Sequence, residues 1–292
     1  MWNRVTPKPH FTISRHAQYN SGLPHGKLHN KAKTRIITPS VDYNMKIALI
    51  SDVHANLAAL TAVMADIDAH SPDEIICLGD TVGYGPQPAE CLSIVRERCS
   101  VVLMGNHEHA VLYGAEQFTP LAQVAIDWTA RVLHNSDTLD YISSLSCEYR
   151  RDNLRFVHGS IRNPLLDYVR EADSPWAFFH LVRTLQDEFT DFNICFVGHN
   201  HRAFLGTEVG YIFPHDNSPV SKTNFHIGSE KAYVSVGSVG QPRDGDWRSS
   251  WLMFDGEDVE YHRVEYDREK TIALIQKAGL PEFLAERLRF GN

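Results

Sequence analysis

The chain has 292 residues, 43% of them apolar, and a formal net charge of −8. That is enough for one large core, and no apolar run approaches the roughly 20 residues of a membrane-spanning helix. Residues 1–44 hold seven Lys or Arg against one acid, Asp42, leaving 21 basic and 35 acidic residues downstream; so acidic a body argues against an extended nucleic-acid-binding surface.

Residues 1–44 carry no sustained helical or strand period and are rich in His, Asn, Pro and Lys. They read as a basic leader, disordered or upstream of an alternative start at Met45, with a targeting peptide as the second reading; His10, His16, His25 and His29 are then solvated. From residue 45 to 292 the pattern is that of one folded domain. Lys46–Ser51 predicts a strand that runs into Asp52-Val53-His54, where residues two apart point the same way. Asn56 predicts an N-cap, and Leu57, Leu60, Val63, Met64 and Ile67 a helical stripe ending near His70, ahead of Ser71-Pro72. Ile75–Leu78 predicts a buried strand ending abruptly in Gly79-Asp80. Pro86–Pro88 opens a second helix with Leu92 and Val95 inward. Val101–Met104 predicts a third strand, ending in Gly105-Asn106-His107-Glu108.

This strand–helix alternation implies a parallel sheet with right-handed crossovers. Leu121, Val124, Ala125, Trp128 and Val132 predict another core helix. A hairpin is expected about Asp152-Asn153, its second strand Leu154–Val157 ending in His158-Gly159. Trp176–Phe189 reads as a helix with Phe178, Leu181, Leu185 and Phe189 inward, and Ile194–Val197 ends in Gly198-His199-Asn200-His201. Strands follow at Ala203–Thr207, Tyr233–Val236, Trp251–Phe254 and Val259–Val264, the last two joined across Asp255-Gly256. This hairpin-rich half predicts a second sheet packed on the first. Thr271–Ala278 and Glu282–Arg289 read as closing surface helices. The five cysteines are odd in number and without close-paired spacing, which favours free thiols in a reducing, cytoplasmic setting over disulfides or a cysteine zinc site.

Five strand ends thus carry Asp52 and His54; Asp80; Asn106 and His107; His158; and His199 and His201. A single Gly-Asp or D-x-H is commonplace; five polar strand ends in one chain are not. Carboxylate and amide oxygens mixed with imidazoles suit Mn, Fe, Zn or Ni better than Ca or Mg. Seven candidate ligands are too many for one catalytic ion and right for two that share a carboxylate. Two ions about 3.5–4 Å apart hold an attacking hydroxide and the non-bridging oxygens of a phosphate.

The ordered motifs D-V-H, G-D, G-N-H-E, V-H-G and G-H-N-H resemble the calcineurin-like metallophosphoesterases. The longer strings ALISDVHANL, GDTVGYGP, VHGSIRNPL and GSVGQPRDGD are similar to its small bacterial phosphodiesterase branch. The resemblance spans about residues 45–255. It implies an α/β fold of four layers, αββα, with two mixed β-sheets flanked by helices and the site at one sheet edge. It also implies Asp52, His54 and His201 on one ion, Asn106, His158 and His199 on the other, and Asp80 bridging, with His107 stabilising or protonating the leaving oxygen. The activity implied is hydrolysis of a small phosphodiester or nucleotide.

The last motif reads GHNH where GHTH is common, and Asn200 lies between ligands, so little effect is expected. In the protein-phosphatase branch an aspartate three residues after the bridging one steadies the histidine, and an arginine follows; here those positions are Gly83 and Tyr84, which speaks against protein Ser/Thr phosphatase activity. A non-catalytic scaffold of the same fold is the other alternative, against which all the ligand positions stand. Arg162 and Arg243 follow motif turns and are candidate phosphate clamps. Tyr84 and Trp247 are candidates to stack on a leaving group, and Glu108 reads as structural.

Overall fold

Alternate residues of a strand face opposite ways, and in the first strand that alternation sets the layers. In the computed structural model, which describes residues 45–169, 175–214 and 221–292, Ile47 and Leu49 join one apolar cluster, and Ala48 and Ile50 another. The first cluster also takes Leu252, Phe254 and Tyr261 from one sheet and Phe156, Phe196 and Val234 from a second. It is the filling between two face-to-face sheets. The second cluster lies under Leu60, Val63 and Ile67, the helical stripe read from sequence. On the far side, Leu181, Leu185 and Phe189 cover Val157, Cys195 and Phe204. Helix, sheet, sheet, helix is the four-layer arrangement expected.

In chain order the elements are β1 (Ile47–Ile50), α1 (Leu57–His70), β2 (Glu74–Cys77), α2 (Pro88–Arg98), β3 (Val101–Val102), α3 (Asn106–Tyr113), α4 (Pro120–Val132) and α5 (Ser136–Ser143). Then come β4 (Glu148–Arg151), β5 (Leu154–Val157), α6 (Pro175–Glu188), β6 (Ile194–Val197), β7 (Ala203–Thr207), β8 (Gly210–Ile212), β9 (Lys222–His226) and β10 (Ala232–Val236). The last are β11 (Ser249–Phe254), β12 (Asp258–Val264), α7 (Arg268–Lys277) and α8 (Glu282–Phe290). Among the described residues one sheet runs β3-β2-β1-β11-β12-β9 and the other β4-β5-β6-β10-β7-β8.

The division is therefore not between halves of the chain. The β11–β12 hairpin pairs antiparallel with β1 through β11, Ile47 opposite Phe254, and so extends the first sheet, while β4, β5 and β6 begin the second. A strand with β2 parallel on one edge needs a partner on the other, and the hairpin supplies it.

Two further expectations are corrected. Helix α4 forms, but Leu121, Val124 and Val132 are exposed, whereas Ala122, Ala125, Ile126 and Thr129 are buried. Its small residues face inward because Ala125 packs against Leu284 and Leu288, and Ile126 against Ala110; close helix contact selects small side chains over a longer apolar stripe. Helices α7 and α8 are more than surface: Ile272, Ile275, Leu284 and Leu288 are buried, in one cluster with Trp128 and Tyr84. Elements α5, β8 and β9 carry no signal that the sequence reading used. The leader, with its four histidines, and the packing of Phe178 lie outside the described residues.

Candidate metal centre

The strand-end residues arrive by backbone pairing. Strand β1 runs beside β2, so that Asp52 donates its N–H to the Gly79 carbonyl at 3.0 Å, and His54 to that of Asp80 at 2.9 Å. Glu108, at the start of α3, accepts from the backbone N–H groups of Gly105, Asp80 and Val82 at 2.8–3.0 Å. One buried carboxylate thereby ties the G-N-H-E turn to the G-D turn, which is the structural role read for it. Gly105 is required there, since a Cβ would strike the Asp80 carboxylate. Asp52, His54, Asp80, His199 and His201 all adopt left-handed backbone angles, φ 47–67°. Each costs of order 1–3 kcal/mol outside glycine, and such strain collects at functional sites.

The side chains then converge. His54 Nδ1 stands 3.2 Å from the Val82 carbonyl and His201 Nδ1 2.6 Å from that of Gln241, so both carry their protons there. Their Nε2 atoms, bearing lone pairs, face each other at 3.0 Å. Asp52 Oδ1 lies 3.3 Å from the second of these nitrogens and has no hydrogen-bond partner. On the other side His158 donates through Nδ1 to Leu78 at 3.0 Å, and its Nε2 faces Asn106 Oδ1 at 3.0 Å and His199 Nδ1 at 3.1 Å. Asp80 Oδ2 stands between the groups, 3.3 Å from His158 Nε2 and 3.7 Å from His54 Nε2. Asp52, His54, Asp80 and His201 form one candidate ligand set, and Asp80, His158 and His199 another. Lone pairs pointed at one another in a buried space repel unless a cation lies among them, so this donor set fits divalent ions, with borderline metals favoured by its imidazoles.

The electrostatics agree. Burial alone would raise the Asp80 carboxyl, but the charges of His158 and His107 outweigh it and hold it well below the usual range. Burial alone would lower His158, yet Asp80 raises it to about 9. Without a cation, the pair traps a proton. Burial, aided by neighbouring charges, pulls His54 and His201 well down and His199 to about 3, leaving neutral imidazoles suited to coordination.

A cavity of ≈ 310 Å³ opens on these groups, lined also by His107, Tyr84, Phe118, Tyr168, Arg243 and Arg287. His107 Nε2 is 4.0 Å from Asp80 Oδ2, and its buried Nδ1 has no partner. It faces Gly83, where any Cβ would collide with the ring. Arg243 lines the cavity, its Nη2 donating at 2.8 Å to Gln241 Oε1, which also accepts from Arg287 at 3.3 Å. Arg162 stands outside that cavity: its side chain is 64% exposed, pairs with Glu188 through Nε at 2.8 Å, and lines an adjoining cavity with His180 and Tyr233, the two cavities sharing Tyr168. Trp247 packs on Tyr266 and under Arg268, away from the cavity. Asn200 Oδ1 accepts from Ser235 and from the Arg202 N–H, bracing the last motif.

Sequence reasoning missed Arg287, which comes from α8, and Tyr168, whose ring stacks on His199 at 3.8 Å. The string VHGSIRNPL ends at Leu165, three residues before Tyr168.

Residues 45–218 match the family model described as calcineurin-like phosphoesterase. An uncharacterized protein of Methanocaldococcus jannaschii is 35% identical over 255 residues, covering 84% of this chain and 98% of its own. Among solved structures, a metallophosphoesterase from Sphaerobacter thermophilus is 37% identical with a TM-score of 0.73, over 85% of this chain and 99% of that one. A hypothetical protein from Pyrococcus horikoshii, 17% identical, shares the fold at a TM-score of 0.67, over 85% of this chain and 98% of its own. With donors so arranged and matches of this extent, the chain belongs to the calcineurin-like phosphoesterase family, enzymes that hydrolyse phosphoric esters with the aid of metal ions.

Proposed function

We propose that the protein is a two-ion phosphodiesterase acting on a small phosphodiester or nucleotide. The observation that carries this reading is the pair of converging donor sets that share Asp80. Asp52, His54 and His201 would hold one ion, Asn106, His158 and His199 the other; Mn, Fe, Zn and Ni all suit these ligands. When bound, the ions lower the pKa of water at the site and neutralise phosphate charge.

The chain's own residues do the rest. Arg243 and Arg287, oriented by one Gln241 oxygen, draw the phosphate into the cavity and fix its non-bridging oxygens. Burial holds His107 down at about 4, so at neutral pH it is a neutral imidazole. It therefore assists the departing alkoxide by donating a hydrogen bond from one ring N–H, not by arriving protonated. Tyr84, Phe118 and Tyr168 give the cavity apolar walls that suit the base or aryl part of an ester. Its volume favours a mononucleotide-sized ligand over a polymer. Five cysteines, none in a disulfide, support the cytoplasm as the working compartment.

The test couples metal analysis to hydrolysis of aryl diesters, aryl monoesters and nucleotides with each divalent ion. We expect Asp80→Asn to lose two ions relative to wild type, and diesters to be preferred. A loss of one ion or none removes the shared carboxylate, and fast phosphate release from phosphopeptides would move the reading to a protein phosphatase.

A further inference from the structure

A second group of ligand-type side chains stands at the other end of α1. Asp66 and His70 are four residues apart on that helix and so share a face. His262, on β12, meets them there. One donor atom from each of the three lies within 4.8 Å of the others. At 1.5 Å rise per residue, Asp66 is on the order of 15 Å along the helix from the Asn56 cap, well away from the Asp80 centre.

Each of these side chains has one polar atom committed outward. His70 Nδ1 stands 2.8 Å from the Asp66 carbonyl, so its proton is there and its Nε2 carries the lone pair. Asp66 Oδ2 accepts from the Trp251 indole N–H at 2.8 Å, leaving Oδ1 free. His262 is 4% exposed, stacked flat on Trp251 at 4.0 Å and edge-on to His70 at 4.5 Å. Its Nε2 lies 2.7 Å from Glu260 Oε1, close enough for the carboxylate to hold the Nε2 proton. Its Nδ1 is 3.7 Å from Asp66 Oδ2. With Nε2 engaged by Glu260, Nδ1 is left on the side where the other two donors meet. The Glu260 carboxylate favours the proton on Nε2, which turns the Nδ1 lone pair toward Asp66. A carboxylate behind a histidine and a donor behind an aspartate are how metal-binding side chains are oriented.

We propose that Asp66, His70 and His262 form a second, separate site for a divalent transition ion, best suited to Zn²⁺. Two imidazoles and a carboxylate are the ligands zinc takes at about 2.0–2.2 Å, with solvent completing the shell; calcium and magnesium prefer oxygen throughout. Such bond lengths imply roughly 3.3 Å between ligands, and donors that already lie within 4.8 Å of one another reach that spacing by side-chain rotation. Asp66 and His70 are partly exposed, and a cavity of ≈ 210 Å³ bordered by His70 and Glu260 offers an approach from solvent. The ion would staple the end of α1 to β12, which makes it structural.

The experiment equilibrates metal-free wild type and His70→Ala with zinc and measures bound zinc, thermal midpoint and phosphoesterase rate. Expected are one zinc fewer per chain in His70→Ala, a smaller zinc-induced rise in thermal midpoint, and an unchanged rate. Equal zinc content in the two proteins overturns the proposal. Crystals of zinc-loaded wild type provide a second reading that no variant can spoil: an anomalous peak among Asp66, His70 and His262 is expected, and its absence at saturating zinc is fatal.

Discussion

His54 and His201 face each other through ring nitrogens 3.0 Å apart, each with its other nitrogen held on a backbone carbonyl. Neither ring can turn its N–H inward without losing that bond, so the contact is between two lone pairs. Stripping metal from the protein should therefore leave a repulsive pair in a dry site. An ion at 100 times its dissociation constant stabilises by about 2.7 kcal/mol, so chelation should lower the thermal midpoint by several degrees. His201→Ala should be less affected by chelator, because it lacks half of the repulsion. A midpoint indifferent to chelator in wild type would remove the case for a cation there.

His107 and Gly83 make a second testable pair. At φ +84°, Gly83 has a backbone that favours glycine, and a methyl group there would strike the His107 ring. Gly83→Ala should cost about 1–3 kcal/mol of stability and displace the imidazole, lowering kcat. His107→Ala should lower kcat by roughly 10²–10⁴ with metal content at the wild-type level. If turnover survives His107→Ala intact, the ring does not touch the leaving group.

Arg243 and Arg162 look alike in sequence, each following a motif turn, and the structure separates them. Arg243 lines the cavity with Arg287; Arg162 pairs with Glu188 at the surface. Losing a charge-assisted contact to phosphate costs about 1.5–3 kcal/mol. We expect kcat/KM to fall roughly 10- to 100-fold in Arg243→Ala and Arg287→Ala and to stay at the wild-type level in Arg162→Ala. Steady-state kinetics on one diester decide it, and an impaired Arg162→Ala would show that the 160s loop reaches substrate.

These contrasts explain what could be read from the chain alone. Candidate ligands were legible because each ends an apolar run, and a polar residue at a buried strand's end has few other reasons to be there. Glu108 was legible for the same reason. The cavity walls were not. Arg287 lies in an ordinary amphipathic helix, and only tertiary packing of Leu284 and Leu288 against α4 brings it over the site. Which sheet a strand joins was equally hidden, because β11, carrying β12 on its other edge, pairs with β1 some two hundred residues earlier. The apolar residues of α4 gave the right helix and only part of its buried face: Ala125 and Trp128 pack inward as read, whereas Leu121, Val124 and Val132 are exposed and Ala122 and Thr129 complete the core stripe.

In the metal-free protein, stability depends on pH through its buried imidazoles and carboxyls. Burial, with Arg243 and His158 adding and Asp80 opposing, brings His107 from 6.5 to about 4. The unfolded chain then takes up a proton as pH falls through 6.5, and the folded chain does not until about 4. Stability from this group is thus complete above pH 6.5 and lost as pH falls toward 4, by up to about 3 kcal/mol. Burial raises Asp52 and Glu108 to about 7, and their contributions run the other way, present at low pH and lost as pH rises through 7. The raw midpoint curve of wild type is accordingly flattened, and a difference between variants is the informative quantity. In chelator, His107→Gln should gain on wild type steadily from pH 6.5 down to pH 4, as the penalty for keeping an imidazole neutral disappears. A gap between the two midpoints that stays constant over that range would show that the buried ring is not held neutral at all.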